Sequence, residues 1–284
     1  MTDDKTYPAE TSVLRSPDGE VYVWFEYVGP ERAKQLLKTY RVDYRKMRPT
    51  HRDTLARDMQ KGYWQFDGSP GRIDEKGNLL DSQHRLHAII QSNTTQLMLF
   101  VGGLPVKAYD TIDQGLPRNY GDLLRKRGYN NVSARTAITK LIARWEEGKS
   151  LDATSRYTNS ELDMYHDRYG DTITRAIAST MGASRKVDMP PAMISFLWWL
   201  LSRIDSNDAY TFMTGVIEGE NLRSGMPAKA LRDRLRRERD TDLSRMDYAH
   251  LTFQAWNAFR EGVNIHRLHL TQNVLTRNRL IDPK

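Results

Sequence analysis

The chain has 284 residues, of which 39% are hydrophobic and none is cysteine, and its 43 lysine and arginine residues against 36 acidic residues give a net charge of +7. This length is enough for one large domain or two of modest size, and we expect two. The absence of cysteine excludes disulfides, thiol catalysis and thiolate metal sites. The positive charge favours association with nucleic acid, but an ordinary soluble protein can carry the same balance.

The hydropathy pattern gives no indication of a membrane protein. No apolar run approaches the ~20 residues that a membrane span requires. The first ten residues are too acidic and polar for a signal peptide. We therefore expect a cytoplasmic protein that has no membrane partner, with residues 1–19 forming a flexible arm.

The first regular elements alternate between strand and helix. The aromatic and β-branched residues 21–28 predict a strand, which Gly29-Pro30 ends by placing proline in the first turn of a helix. Residues 50–62 predict a second helix. The basic segment between the two helices is either a solvated loop or a phosphate-contacting surface. Its candidate DNA-binding residues are Arg41, Arg45, Lys46 and Arg48.

Residues 79–90 predict a strand that leads directly into a helix. Residues 72–74 and 78–80 flank the turn-forming sequence Glu75-Lys76-Gly77, which predicts a hairpin. Asp81 or Ser82 would then cap the helix. The first amides of a helix favour an anion, and His84 and Arg85 add donors there. The pattern fits a phosphate site. The alternative is that nothing binds here, because many α/β proteins have a strand, a turn and a helix with a polar first turn that bind no ligand.

Further along, residues 96–101 predict a strand that ends at Gly102-Gly103. In the segment that follows, Asp113, Arg118 and Asp122 allow two interpretations. Two acids and an arginine brought close to the helix start could hold a metal ion or orient a reacting group. Alternatively, Asp113 caps a turn and Arg118 pairs with Asp122 along a helix.

From residue 131 onward the pattern predicts helices and no convincing strand. Thr158 and Glu161 have the spacing of a capping box. Residues 193–204 are apolar almost all round, which predicts a buried helix. Residues 229–245 predict a strongly basic helix that either contacts phosphates or is a solvated helix. The candidate DNA-binding residues on one face of it are Arg232, Arg236 and Arg239.

The sequence from Asp81 to Ala88 resembles a known signature. Asp-Ser-Gln-His-Arg-Leu-His-Ala is similar to the Asp-Gly-Gln-His-Arg-Leu-x-Ala motif of phage and bacterial ParB-like proteins, in the ParB/sulfiredoxin superfamily. Gly62-Tyr63-Trp64 and the segment from Asp113 to Arg118 resemble further elements of the same family. Ser82 stands where the signature has glycine, which adopts positive φ without strain.

The resemblance implies an α+β fold in two domains. A ParB/sulfiredoxin-like small mixed sheet with helices would occupy residues 20–127, and an all-helical C-terminal domain would occupy residues 128–284. The implied function is that of a nucleotide- or phosphate-binding phage protein that works on or with DNA by phosphoryl chemistry: NTP hydrolysis, phosphotransfer or phosphodiester cleavage. The alternative is a non-catalytic DNA-binding or partner-binding module whose site only holds a ligand.

The resemblance also assigns roles to individual residues. The implied cofactors are a nucleoside triphosphate, ATP or CTP, and Mg²⁺, and the implied partner is DNA in the cytoplasm of a bacterial host. Whether the chain forms a homodimer is left open. The catalytic candidates are Asp81, His84 and Asp113, of which Asp81 and Asp113 are also the metal candidates. The phosphate-binding candidates are Ser82, Gln83, Arg85, His87 and Arg118.

Overall fold

The computed structural model describes residues 13–40, 47–112, 119–237, 243–270 and 280–284. It confirms a mixed α+β protein, and the chain divides into two compact units, residues 1–117 and 118–284. This division precedes the expected boundary at residues 127 and 128. The difference arises because the helix Tyr120–Lys126 packs through Tyr120 and Leu124 against Leu162, which belongs to the second unit.

The first unit is built on a five-stranded mixed sheet. Its strands are β1 (Leu14–Arg15), β2 (Tyr22–Val28), β3 (Gly71–Asp74), β4 (Leu79–Asp81) and β5 (Gln96–Leu104), and their order in the sheet is β1-β2-β5-β3-β4. β5 runs parallel to β3 and antiparallel to β2, whereas β4 pairs with β3 as an antiparallel hairpin. Because β1 pairs with β2, Leu14 and Arg15 belong to the sheet rather than to the expected arm, of which residues 1–12 lie outside the described residues.

Three helices contribute to the core of the first unit, as the sequence predicts. They are α1 (Pro30–Thr39), α2 (Pro49–Gln60) and α3 (Gln83–Ser92). The core joins Trp24 and Phe100 of the sheet to apolar residues of all three helices, such as Leu36, Met59 and Leu86. α3 is therefore held on the sheet by its apolar face, and its N-terminus lies where β4 ends.

β5 is longer than the sequence predicts, because Gly102 and Gly103 continue the strand instead of ending it. Gly103 has φ +76°, and a Cβ atom built on it would lie 2.0 Å from the carbonyl oxygen of Glu20. A Cβ atom on Gly102 would lie 2.5 Å from the ring of Tyr22. The two glycines thus allow β5 to approach the chain at the start of β2, a tertiary requirement that local turn chemistry does not reveal.

In the second unit, the described residues form helices and no strand. The helices are α4 (Tyr120–Lys126), α5 (Val132–Glu146), α6 (Asn159–Ser179), α7 (Pro191–Ser202), α8 (Ser206–Glu218), α9 (Pro227–Arg237) and α10 (Arg245–Arg260), and the described residues include a short 3₁₀ helix, Ala183–Arg185, between α6 and α7. The predicted capping box of Thr158 and Glu161 is confirmed at the start of α6. α7 is the predicted buried helix, and its Trp198 and Trp199 lie in the core.

The predicted basic helix over residues 229–245 is wrong in its extent. α9 is described as far as Arg237, and a new helix starts at Arg245 behind the N-cap residue Ser244. Ser244 and Asp247 form a complete capping box there, with the Ser244 hydroxyl accepting from the Asp247 amide at 3.1 Å. This reciprocal cap makes residue 245 a helix start. No helix among the described residues is long and apolar enough to cross a membrane.

The close approach at Gly103 leads to a stability prediction. We expect Gly103→Ala to lower the free energy of unfolding by about 2–3 kcal/mol, because the new methyl group must displace the Glu20 carbonyl as well as adopt a positive φ. Gly19→Ala is the matched control, since Gly19 has φ +77° with nothing within 4 Å of the added Cβ. Urea unfolding followed by tryptophan fluorescence measures both variants. Equal losses for the two variants would contradict the prediction.

Candidate functional site

The candidate site is the turn between β4 and α3, where Ser82 is the N-cap residue of the helix. Ser82 has φ 91° and ψ 1°, in the left-handed region, so serine adopts the conformation for which glycine would be unstrained. This backbone conformation costs a non-glycine residue about 1–2 kcal/mol. The tight turn therefore forms with serine at this position.

The N-terminus of α3 has no side-chain cap. The sequence predicts a cap by Asp81 or Ser82, but among the described residues no side chain caps the helix, and its first turn has no acidic residue. Ser82 is 2% exposed, and its Oγ atom and Oε1 of Gln83 are buried without a hydrogen-bond partner in the part of the chain that the structure describes. Because uncapped helix N-termini carry unsatisfied N–H groups and a partial positive charge, this turn is suited to an anion.

Asp81 connects the hairpin to the helix through two arginine side chains. Its Oδ2 accepts a hydrogen bond from Arg72 Nη1 at 2.9 Å and from Arg85 Nη2 at 3.2 Å, and its Oδ1 accepts from the Ser82 amide at 2.6 Å. Arg72 stands opposite Asp81 in the pairing of β3 with β4. The Asp81 carboxylate is thus already neutralised by cations, and both of its oxygens accept hydrogen bonds.

These contacts do not fit a metal ion held by Asp81. A divalent cation would have to bind a carboxylate that two guanidinium groups share, and their charges oppose it. The second metal candidate, Asp113, lies outside the described residues. Within the part of the chain that the structure describes, no group of three or more acidic or histidine side chains is placed to hold a metal ion.

Arg85 holds the segment that leads into β3. Its Nη2 donates to the carbonyl oxygen of Pro70 at 2.6 Å, its Nη1 donates to the carbonyl oxygen of Ser69, and the side chain is 13% exposed. These bonds fix the guanidinium beside the start of α3. A phosphate group bound by Arg85 would have to share the guanidinium with these acceptors or replace one of them.

His84 is buried and accepts a hydrogen bond. Its Nε2 atom accepts from the backbone amide of Arg48 at 3.0 Å, so this nitrogen carries no proton, and its ring meets that of His51 at 5.1 Å between centroids. Arg48 is the N-cap residue of α2, so His84 positions the start of that helix. For His84 to donate a proton to a ligand from Nε2, this bond would first have to break.

His87 lies one helical turn beyond His84 and is half-buried. Burial, and secondarily the positive charge of Arg52, lower the pKa of His87 below its ordinary value. Its imidazole is therefore predominantly neutral at pH 7. As a phosphate ligand it would contribute a hydrogen bond rather than a positive charge.

Several predicted site residues are not described: Asp113, Arg118, Arg41, Arg45, Lys46 and Arg239. Arg48 and Arg236 are described and exposed, as phosphate contacts require. Arg232 has a different role, because its Nη1 donates to the carbonyl oxygens of Val216 and Ile217, both at 2.6 Å, near the end of α8. Burial lowers the pKa of Arg232. This geometry satisfies the last carbonyls of α8 and does not support the predicted DNA contact of Arg232.

Two residues of the site escape the sequence analysis. Arg72 is the cross-strand partner of Asp81, but counting outward from the predicted hairpin turn would pair it with Leu80, because the register shifts between Arg72 and Ile73. His51, in the first turn of α2, packs against His84 from a helix that lies far from it in the sequence. No local pattern reports that contact.

Comparisons with known proteins add no support to these assignments, which rest on the geometry alone. No protein-family model matches the chain, and neither a curated protein nor a solved structure shows significant similarity to it.

The strained serine leads to a second prediction. We expect Ser82→Gly to stabilise the protein by about 1 kcal/mol, because glycine relieves the left-handed conformation and removes a buried hydroxyl without a partner. Ser82→Ala removes the hydroxyl but keeps the strain, so its stability should be lower than that of Ser82→Gly. Thermal unfolding of the three proteins under identical conditions tests the order. If the alanine variant is as stable as the glycine variant or more stable, backbone strain at Ser82 does not lower the stability of the protein.

Proposed function

We propose that the chain binds phosphate groups at the turn between β4 and α3, as a nucleotide-binding protein that works with DNA. In this proposal the first unit is a ParB/sulfiredoxin-like domain of a phage-type protein, the second is an all-helical domain, and the ligand is a nucleoside triphosphate, ATP or CTP. The observation that carries the proposal is the uncapped N-terminus of α3, with its left-handed N-cap residue Ser82 and the guanidinium of Arg85 fixed beside it.

The charges around the turn support an anionic ligand. Arg72 and Arg85 together bring two positive charges, and Asp81 balances one of them. The dipole of α3 adds roughly half an elementary charge at its N-terminus. The turn therefore keeps a local positive excess, which favours phosphate over a neutral ligand of the same size.

The contacts of Asp81 and His84 favour holding a ligand over transforming it. Asp81 is engaged by two arginines, and the Nε2 atom of His84 accepts a backbone hydrogen bond. The non-catalytic module is therefore our first choice, and phosphoryl chemistry is the second candidate. Mg²⁺ enters the proposal as an ion that arrives with the triphosphate, since Mg²⁺ commonly binds substrate phosphates and keeps several waters. No step of the proposed function passes through a protein-held metal ion.

Calorimetric titration with ATP and with CTP, each in the presence of Mg²⁺, tests the proposal. We expect Arg85→Ala to weaken the binding of the preferred nucleotide by about tenfold or more, because a charge-assisted contact to phosphate contributes roughly 1.5–3 kcal/mol. Lys38→Ala is the control, since it removes one positive charge from an exposed position on α1. Circular dichroism verifies that both variants are folded.

Two outcomes would change the account. Equal nucleotide affinities for Arg85→Ala and Lys38→Ala would show that phosphate does not bind at this turn. If the parent protein releases inorganic phosphate and Asp81→Asn does not, the protein is an enzyme rather than a non-catalytic binding module. The same samples, assayed for phosphate release with and without duplex DNA, separate these possibilities.

A further inference from the structure

A concave groove in the second unit has the character of an anion site, and no motif in the sequence indicates it. It has a volume of about 590 Å³ and lies between α4, one face of α5 and the start of α10. Ser133, Thr136, Ala137 and Lys140 recur at helical spacing along the face of α5 that lines it. Small and hydroxyl-bearing side chains thus form part of its wall.

The charges that line this groove are strongly unbalanced. Among the described lining residues, the cations are Arg125, Lys140, Arg144 and Arg245, and the acid is Asp122. Asp122 is occupied, because its Oδ2 accepts from the Asn119 amide at 3.0 Å in a capping box and its Oδ1 accepts from Arg125 Nη1 at 2.9 Å. Within the described residues, the Lys140 ammonium has no carboxylate partner. The groove therefore presents an uncompensated positive charge.

Two of the cations are held side by side. Arg144 Nη1 and Arg245 Nη1 both donate to the carbonyl oxygen of Leu151, at 3.2 Å and 3.4 Å. Burial, and secondarily the charge of Arg245, lower the pKa of Arg144. Asp152 relieves this repulsion only weakly, because its Oδ1 lies 4.0 Å from Arg245 Nη1 and its two oxygens accept from the amides of Arg245 and Met246.

The groove also contains buried polar atoms that lack partners. Nε of Arg144 and Oγ1 of Thr136 are both buried, and neither has a hydrogen-bond partner among the described residues. Unpaired buried donors are costly unless a ligand or ordered water satisfies them. An anion with several oxygens in the groove would be attracted by the two neighbouring guanidinium groups and would offset their mutual repulsion.

The lining indicates which kind of anion fits. No aromatic side chain is present among the described residues that line the groove, so it offers no platform on which a base could stack. A nucleotide-specific pocket would need contacts to the base, whereas contacts to phosphate alone are sequence-independent. We propose that this groove binds the phosphodiester backbone of a nucleic acid through Arg125, Lys140, Arg144 and Arg245. The inference deepens the DNA-associated part of the proposed function and rests on it, but it does not require the nucleotide site of the first unit.

Fluorescence anisotropy with a labelled DNA duplex and the full chain tests this groove. We expect the double variant Arg125→Gln/Lys140→Gln, which changes two exposed side chains, to bind duplex about tenfold or more weakly at 100 mM salt. The slope of log K against log salt concentration should become shallower by about 1.8, or about 0.9 for each lost phosphate contact. Arg168→Gln/Arg185→Gln is the control, with the same change of net charge at exposed positions of the same unit, and it should keep the parent slope.

Three results would overturn the groove site. The first is that the parent does not bind duplex, and the second is that the two double variants lose duplex affinity equally. The third is that the groove variant loses affinity for inorganic triphosphate, measured by calorimetry, but keeps its affinity for duplex. The last result would mean that the groove takes a free polyphosphate instead of a nucleic acid. Nucleotide calorimetry on the same variants separates the two proposals. A groove variant with normal nucleotide affinity and weakened duplex binding supports the groove, and a parent that binds duplex but no nucleotide refutes only the site at α3.

Discussion

The ion cluster of Asp81 with Arg72 and Arg85 is the interaction on which the first unit's candidate site depends. Asp81 ends β4, Arg72 stands opposite it on β3, and Arg85 lies in the first turn of α3. The three side chains are only partly exposed, so their interaction is screened less than that of a surface pair. A single carboxylate thereby fixes the hairpin, the turn at Ser82 and the start of the helix relative to one another.

The same cluster determines what the site can do. Because Arg85 also donates to the carbonyl oxygens of Ser69 and Pro70, the guanidinium is oriented before any ligand arrives, which lowers the entropy lost on binding. The contacts that orient it also compete with a ligand for its donors. A phosphate must interact with Arg85 more strongly than the acceptors that it displaces. The attraction between its negative charge and the positive end of α3 provides this advantage.

Much of the first unit could be predicted from local chemistry. The aromatic run of β2, proline at the start of α1, and the turn between β3 and β4 each act through neighbouring residues, and all three elements are found where the sequence places them. The extension of β5 through Gly103 could not be predicted this way, because it depends on the approach of Glu20 from a distant part of the chain. Local rules interpret a pair of glycines as a turn when no tertiary contact is known.

The candidate site shows the same limit. The location of the turn between β4 and α3 follows from the sequence, but its left-handed serine, its uncapped helix start and the partners of its side chains do not. His84 of α3 accepts a hydrogen bond from the backbone amide of Arg48 at the start of α2, and Arg232 donates hydrogen bonds to carbonyl oxygens near the end of α8. Both are polar residues whose roles in the folded chain are set by burial and by distant backbone groups. In the second unit, the cations that line the basic groove come from three helices, so no single segment of the sequence reveals it.

The central claim is that the first turn of α3 receives a phosphate group. The most direct measurement is a titration of the ¹⁵N-labelled protein with the preferred nucleotide, followed by two-dimensional ¹H–¹⁵N NMR. The account predicts that the largest shifts occur at the backbone amides of Gln83, His84 and Arg85 and at the side chain of Arg85, since these donors surround the proposed phosphate. Nucleotide binding that leaves these signals unchanged would contradict the account.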